Sequence, residues 1–149
     1  MNESYLPLLA FTAGAAIAAQ ASLNAQLGQL LQSALLATTI AFASSLVFIT
    51  LTLFTFYTKL PSIETFKGLP TYLWFSGGIL SAFAIASFYW LIPKMGIGPM
   101  MSYALSGQLL FAILAGHFGW FQLPVISLSP LKLTGIFSLI LGIVLINNG

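Results

Sequence analysis

Few side chains in this sequence can do polar chemistry, and most of those lie inside apolar runs. Gln20 and Asn24 are four residues apart, a spacing that stacks them on one face of a helix. Tyr103 and Gln108 belong to a later apolar run that ends at His117, the single histidine of the chain. An amide surrounded by hydrocarbon must find a hydrogen-bond partner, because no water is there to satisfy it. Gln20 and Asn24 are therefore either interhelical glue or the lining of a polar site in the membrane, and residue type alone does not separate the two. Ionisable groups at membrane depth mark proton relays, and imidazole exchanges a proton near neutral pH, so His117 is the candidate for proton coupling. Its competing role is a cation that complements the dipole at a helix C-terminus.

Other chemistry lacks the residues it needs. Hydrolysis and group transfer require a base beside a nucleophile, a carboxylate pair or a metal cage. The chain has no cysteine, one histidine and two carboxylates, Glu3 and Glu64, both outside the apolar runs. It has no glycine-rich phosphate loop either. An enzyme is not expected, and neither is a metal site or a cofactor.

Composition then names the solvent. Only 4% of the 149 residues are charged, 59% are hydrophobic, and the mean hydropathy is +1.03. Soluble domains carry about 25% charged residues, so this chain cannot cover a water-facing surface and reads as a polytopic membrane protein. Its lysines (Lys59, Lys67, Lys94 and Lys132) are scattered, so a nucleic-acid partner is not expected.

The elements that must position the polar residues follow from the apolar runs. A hydrocarbon core about 30 Å thick takes roughly 20 helical residues. Five stretches meet that length, at about 6–27, 34–57, 71–92, 99–117 and 131–146, within a single membrane domain over 1–149. A secretory signal peptide competes for the first run. However, Glu3 precedes it, no lysine occurs before Lys59, and the run is longer than a typical h-region. The first helix is rich in small residues (Ala13, Gly14, Ala16, Ala18, Ala21, Ala25), which let a neighbouring backbone approach closely. It is read as the element around which the others pack. Gly28 to Gln32 reads as a tight connection, with Ser33 capping the second helix. Ala37, Ala41 and Ser45 form a small-residue ridge there, and its threonines can bond back to their own helix.

Thr58 to Pro70 reads as an interfacial loop. Gly77, Gly78, Ser81, Ala82 and Ala86 give the third helix a second close-packing face. Trp74 near one end, and Tyr89 with Trp90 near the other, fit aromatic belts at the two interfaces; substrate contact is the alternative for all three. Pro93 to Pro99 reads as a short hairpin, and Gln108 shares a helix side with Ala104, Ala112 and Ala115. Ser129 is placed to cap the last helix, which carries Gly135, Ser138 and Gly142 in one stripe. With five spans, Lys59, Lys67 and Lys132 fall on the face of the N-terminus and Lys94 on the other, which favours the N-terminus inside.

The run Gln20-Ala-Ser-Leu-Asn24 followed by Leu27-Gly28 resembles the opening helix of the small five-helix YdcZ-like proteins of the drug/metabolite transporter superfamily. Trp74 with Gly77-Gly78, Pro93 with Gly96, Gly107-Gln108, His117-Phe118-Gly119 and the closing Gly142-Ile-Val-Leu extend the similarity in order across almost the whole chain. The resemblance implies an inner-membrane transporter. Related transporters carry ten helices as two inverted five-helix repeats, so this chain would be one half. A homodimer or a paired five-helix half would complete it and work by alternating access. One departure stands out: family members often hold an acidic residue before the His-Phe-Gly triplet, and here that position is Gly116.

On this reading Gln20, Asn24, Tyr103, Gln108 and Trp74 are the substrate-binding candidates. The solute would be small, organic, and neutral, zwitterionic or a soft cation held by aromatic faces. The alternative is a non-transporting membrane subunit packed against a larger membrane partner.

Overall fold

The computed structural model describes residues 5–56, 60–122 and 124–148. Glu3 lies outside these, as do Tyr57, Thr58 and Lys59, where the second helix was expected to end and the connection after it to begin. The chain is all-helical, with no strand among the described residues. Its helices are α1 (Leu6–Leu30), α2 (Ala34–Phe56), α3 (Ile63–Lys67), α4 (Thr71–Met95), α5 (Ile97–Phe118) and α6 (Pro130–Asn148). All but α3 are long and apolar enough to cross a bilayer. The chain divides into two compact units, Met1–Lys94 and Met95–Gly149.

In the first unit, α1 and α2 form a hairpin packed on small residues. Ala21, Ala25 and Gly28 of α1 and Ala37, Thr38 and Ala41 of α2 are buried. Lipid tails are as apolar as the side chains, so close van der Waals packing holds such a seam. The hairpin turn lies after Gly28, not at it. The Ser33 N–H donates to the Gly28 carbonyl (2.9 Å) and the Gln32 N–H to that of Gln29 (3.1 Å), a Schellman closure with Gln32 at φ 53°. Gly28 is a packing residue instead. A Cβ there would stand 3.5 Å from both the Ala34 Cα and the Ala37 Cβ. Ser33 does cap α2, its Oγ accepting from the Leu36 N–H at 3.1 Å. Thr38, Thr39, Thr52 and Thr55 bond back to carbonyls of their own helix.

Two connections differ from expectation. The stretch read as an interfacial loop contains a helical turn, α3. It is capped by Ser62, with Glu64 in its first turn and Lys67 in its last, the order that suits the helix dipole. Pro93 does not break the chain: α4 continues through it to Met95. Proline there forfeits one hydrogen bond in the final turn, where little helix remains to disrupt. The connection narrows to Gly96, whose φ of +86° suits glycine. Pro99 then sits in the first turn of α5, where an N–H would be unsatisfied anyway.

In the second unit, α5 and α6 pack together. Met100, Ser102 and Ala115 of α5 and Ile143 of α6 are buried. The helix α5 ends in a left-handed Gly119 whose N–H bonds the Ala115 carbonyl. The Ile126 N–H folds the connection back onto the Gly116 carbonyl (2.9 Å). Ser129 caps α6, and Pro130 occupies its first position.

Candidate functional site: a polar ring between α1 and α4

The expected stacking of Gln20 and Asn24 occurs, and a third residue joins them. Asn24 Nδ2 donates to Gln20 Oε1 (3.0 Å) and to the Tyr89 hydroxyl oxygen (2.9 Å), and the Tyr89 hydroxyl donates to Gln20 Oε1 (2.9 Å). The result is a closed three-membered ring. Gln20 and Asn24 lie roughly 3 to 9 Å past the midpoint of α1 at ~1.5 Å per residue, which is hydrocarbon depth. Tyr89 is 2% exposed, the largest fully buried side chain among the described residues.

This corrects the belt reading of Tyr89. Only its neighbour Trp90 is placed as an interfacial anchor, with the Lys94 Nζ 3.2 Å above its ring centroid. Consecutive helical residues point about 100° apart, and here Tyr89 is buried while Trp90 is 55% exposed. Tyr89 shares its helix face with Gly78, Ala82 and Ala86, a pattern that could have singled it out.

The ring carries structural weight because α4 otherwise stands off the hairpin. No Cα of α4 comes within 8 Å of α1 or α2 among the described residues. The space left open is a cleft of about 460 Å³ between the start of α2 (Ala34, Leu35) and α4 (Ala82, Phe83, Ala86, Ser87, Trp90). A smaller recess of about 210 Å³ adjoins it, sharing Ala34 and Trp90 as walls, and is lined by Tyr89 and by Gln29 and Gln32 of the turn. Of the ring's three residues, Tyr89 lines the smaller recess, and Gln20 and Asn24 line neither.

Trp74 is placed elsewhere on α4. It is 51% exposed, with its ring centroid 5.9 Å from that of Phe66 on α3. Fifteen residues separate it from Tyr89, roughly 22 Å along the helix.

The candidates of the second unit sit singly. Tyr103 is 56% exposed, and Gln108 is exposed on the same helix. His117 lies in the last turn of α5, edge-on to Phe118 at 5.0 Å between ring centroids. Its Nδ1 is buried without a hydrogen-bond partner.

A polar group that sequence reasoning did not single out lies between Ser102 and Asn147. Asn147 Nδ2 donates to Ser102 Oγ and to the Ile143 carbonyl, both at 2.8 Å, while its Oδ1 is buried and unpaired. The last helix was expected to stop at 146, one residue short of this asparagine. The grooves of this unit are apolar. One of about 340 Å³ runs between α5 and α6, with Lys132 at its edge held by the Ser127 carbonyl (3.0 Å).

A family model described as "Putative inner membrane exporter, YdcZ" matches residues 5–145. No curated protein and no solved structure matches the chain. Nearly the whole chain, including all three residues of the ring, falls within that match. With its five apolar spans, the chain is an integral inner-membrane protein of transporter type and belongs to the YdcZ-like family of the drug/metabolite transporter superfamily.

Proposed function

We propose that the chain moves a small organic solute across the inner membrane, acting as a dimer of five-helix halves by alternating access. The closed ring of Gln20, Asn24 and Tyr89 carries this reading, because a purely structural helix pair has little use for two amides and a phenol at hydrocarbon depth. Need for a second half is supported by how little of each span the chain itself covers, 6–11%. Gly77 and Gly78 meet nothing within 4 Å, and small residues facing empty space suit close approach by another helix. The second copy inserts with inverted topology, as an odd number of spans permits. Gln20, Asn24, Tyr103, Gln108 and Trp74 contact solute along its path, and His117 carries any coupled proton. Catalysis has no part in this function. One copy of each pair then has its N-terminus inside and the other outside, so an impermeant thiol reagent added outside should label about half of Glu64→Cys; no labelling would leave a single orientation with the N-terminus inside.

Flux in proteoliposomes tests the reading. Gln20→Ala and Asn24→Ala are each expected to lose at least about tenfold in rate while the protein stays folded. Unchanged flux in both would reassign the ring to packing. The competing reading, a non-transporting subunit, draws on the same open helix faces. It predicts no flux from the chain reconstituted alone and flux restored by a partner.

A further inference from the structure

The ring fixes more than its own geometry: it dictates which atoms remain for a ligand. Asn24 Nδ2 faces both Gln20 Oε1 and the Tyr89 oxygen, so its donor side is turned into the ring. The hydroxyl hydrogen of Tyr89 also goes to Gln20 Oε1. Neither amide can flip alone, and turning both together only exchanges the outward donor and acceptor. Turning Gln20 would set an NH₂ against the Asn24 NH₂, and turning Asn24 would set an oxygen against Gln20 Oε1. What remains is an NH₂ on Gln20 and a carbonyl oxygen on Asn24, on adjacent turns of one helix. Among the described residues the sealed, unpartnered polar atoms are His117 Nδ1 and Asn147 Oδ1, and neither leftover group is one of them.

We propose that this leftover edge, one donor group beside one acceptor, recognises the amide edge of a neutral solute such as a carboxamide, lactam or urea. The inference rests on the transport reading above and narrows its solute class. An amide offers its carbonyl to Gln20 Nε2 and its N–H to Asn24 Oδ1, so both protein groups are satisfied. A carboxylate satisfies Gln20 but is repelled by the Asn24 oxygen. An ammonium satisfies Asn24 but meets the donors of Gln20. An ester has no hydrogen for Asn24. Leaving a polar group of the site unpaired is what makes such discrimination large. The α1 and α2 spans contain no charged residue to override it.

The test uses the purified full chain and four probes that share a phenyl ring: benzamide, benzoate, benzylamine and methyl benzoate. Binding is read by competition against radiolabelled benzamide, and flux with the same label in proteoliposomes. Benzamide is expected to bind at least about tenfold more tightly than each of the other three. Gln20→Glu keeps the acceptor on which the ring depends and turns the outward donor into an acceptor. It should therefore lose at least about tenfold in benzamide affinity and gain affinity for benzylammonium. The probe order on the unmodified chain stands as a test even if that variant fails to fold. Benzamide-selective binding without benzamide flux would uphold the amide edge and overturn the transport reading for this solute class. Flux with equal affinity for all four probes, or flux indifferent to Gln20→Glu, would overturn the amide edge and leave transport standing. No benzamide binding overturns the edge outright.

Discussion

The two units treat their polar side chains in opposite ways. In the first, two amides and a phenol from α1 and α4 satisfy one another, and the atoms they leave over form a defined edge. In the second, Ser102 and Ser106 bond back to their own helix, one Asn147–Ser102 bond joins α6 to α5, and Asn147 Oδ1 and His117 Nδ1 are sealed without partners. A reciprocal ring holds two helices in register and presents its remaining groups at fixed positions. A side chain bonded to its own helix does neither, since the bond forms whatever the neighbouring helix does. Under the proposed function, the difference makes the first unit the main place of recognition.

Substitutions can break or sharpen that contrast. The largest effect is expected at the seam on which the first unit rests. Gly28→Leu drives a side chain into Ala34 and Ala37 and should destabilise the chain by about 3 kcal/mol in thermal melts. Gly107→Leu, which meets open space on α5, should change the melt by less than about 0.5 kcal/mol. If the two melts shift equally, the hairpin is not the close-packed element described.

Next come two asparagines with opposite surroundings. Asn24→Leu removes two ring bonds and strips Gln20 and Tyr89 of a partner, a loss of about 2 kcal/mol. Asn147→Leu removes a buried, unpaired oxygen along with its bonds, so gain and loss nearly cancel and a change within about 0.5 kcal/mol is expected. A larger loss at Asn147 than at Asn24 would contradict the contrast between the units.

The smallest structural effect is expected at His117, which meets Phe118 edge-on and whose Nδ1 has no hydrogen-bond partner to lose. His117→Ala should leave the melt almost unchanged and flatten the pH dependence of flux. If pH dependence survives, the imidazole is not the proton carrier.

Much of this was legible in residue types and spacing. The five spans follow from runs too long and too apolar for any other solvent, and the stacked pair Gln20 and Asn24 from helical periodicity. The caps at Ser33, Ser62 and Ser129 use the same side-chain chemistry, though only the first and last stood out beside an apolar run. Gly28 and Pro93 misled because each is a breaker in general and a packing or end-of-helix residue in its place here; only the neighbouring helix decides which. Tyr89 was hidden beside Trp90, since the pair resembles an interfacial belt until the helix faces are separated. Its partnership with residues 65 and 69 positions earlier depends on tertiary contact that no local pattern encodes.

The central claim is that the ring borders a water-reachable path through the membrane. Because the chain has no native cysteine, one substitution at a time can be probed. Gln20→Cys in sealed proteoliposomes should react with a small, membrane-impermeant thiosulfonate, which is attacked only by a thiolate that water can reach and releases sulfinate. Leu23→Cys, on the outward side of the same helix and 67% exposed on the isolated chain, should remain inert in lipid. The account predicts fast labelling at position 20 and none at position 23. No labelling at either position, with both variants folded, would contradict it.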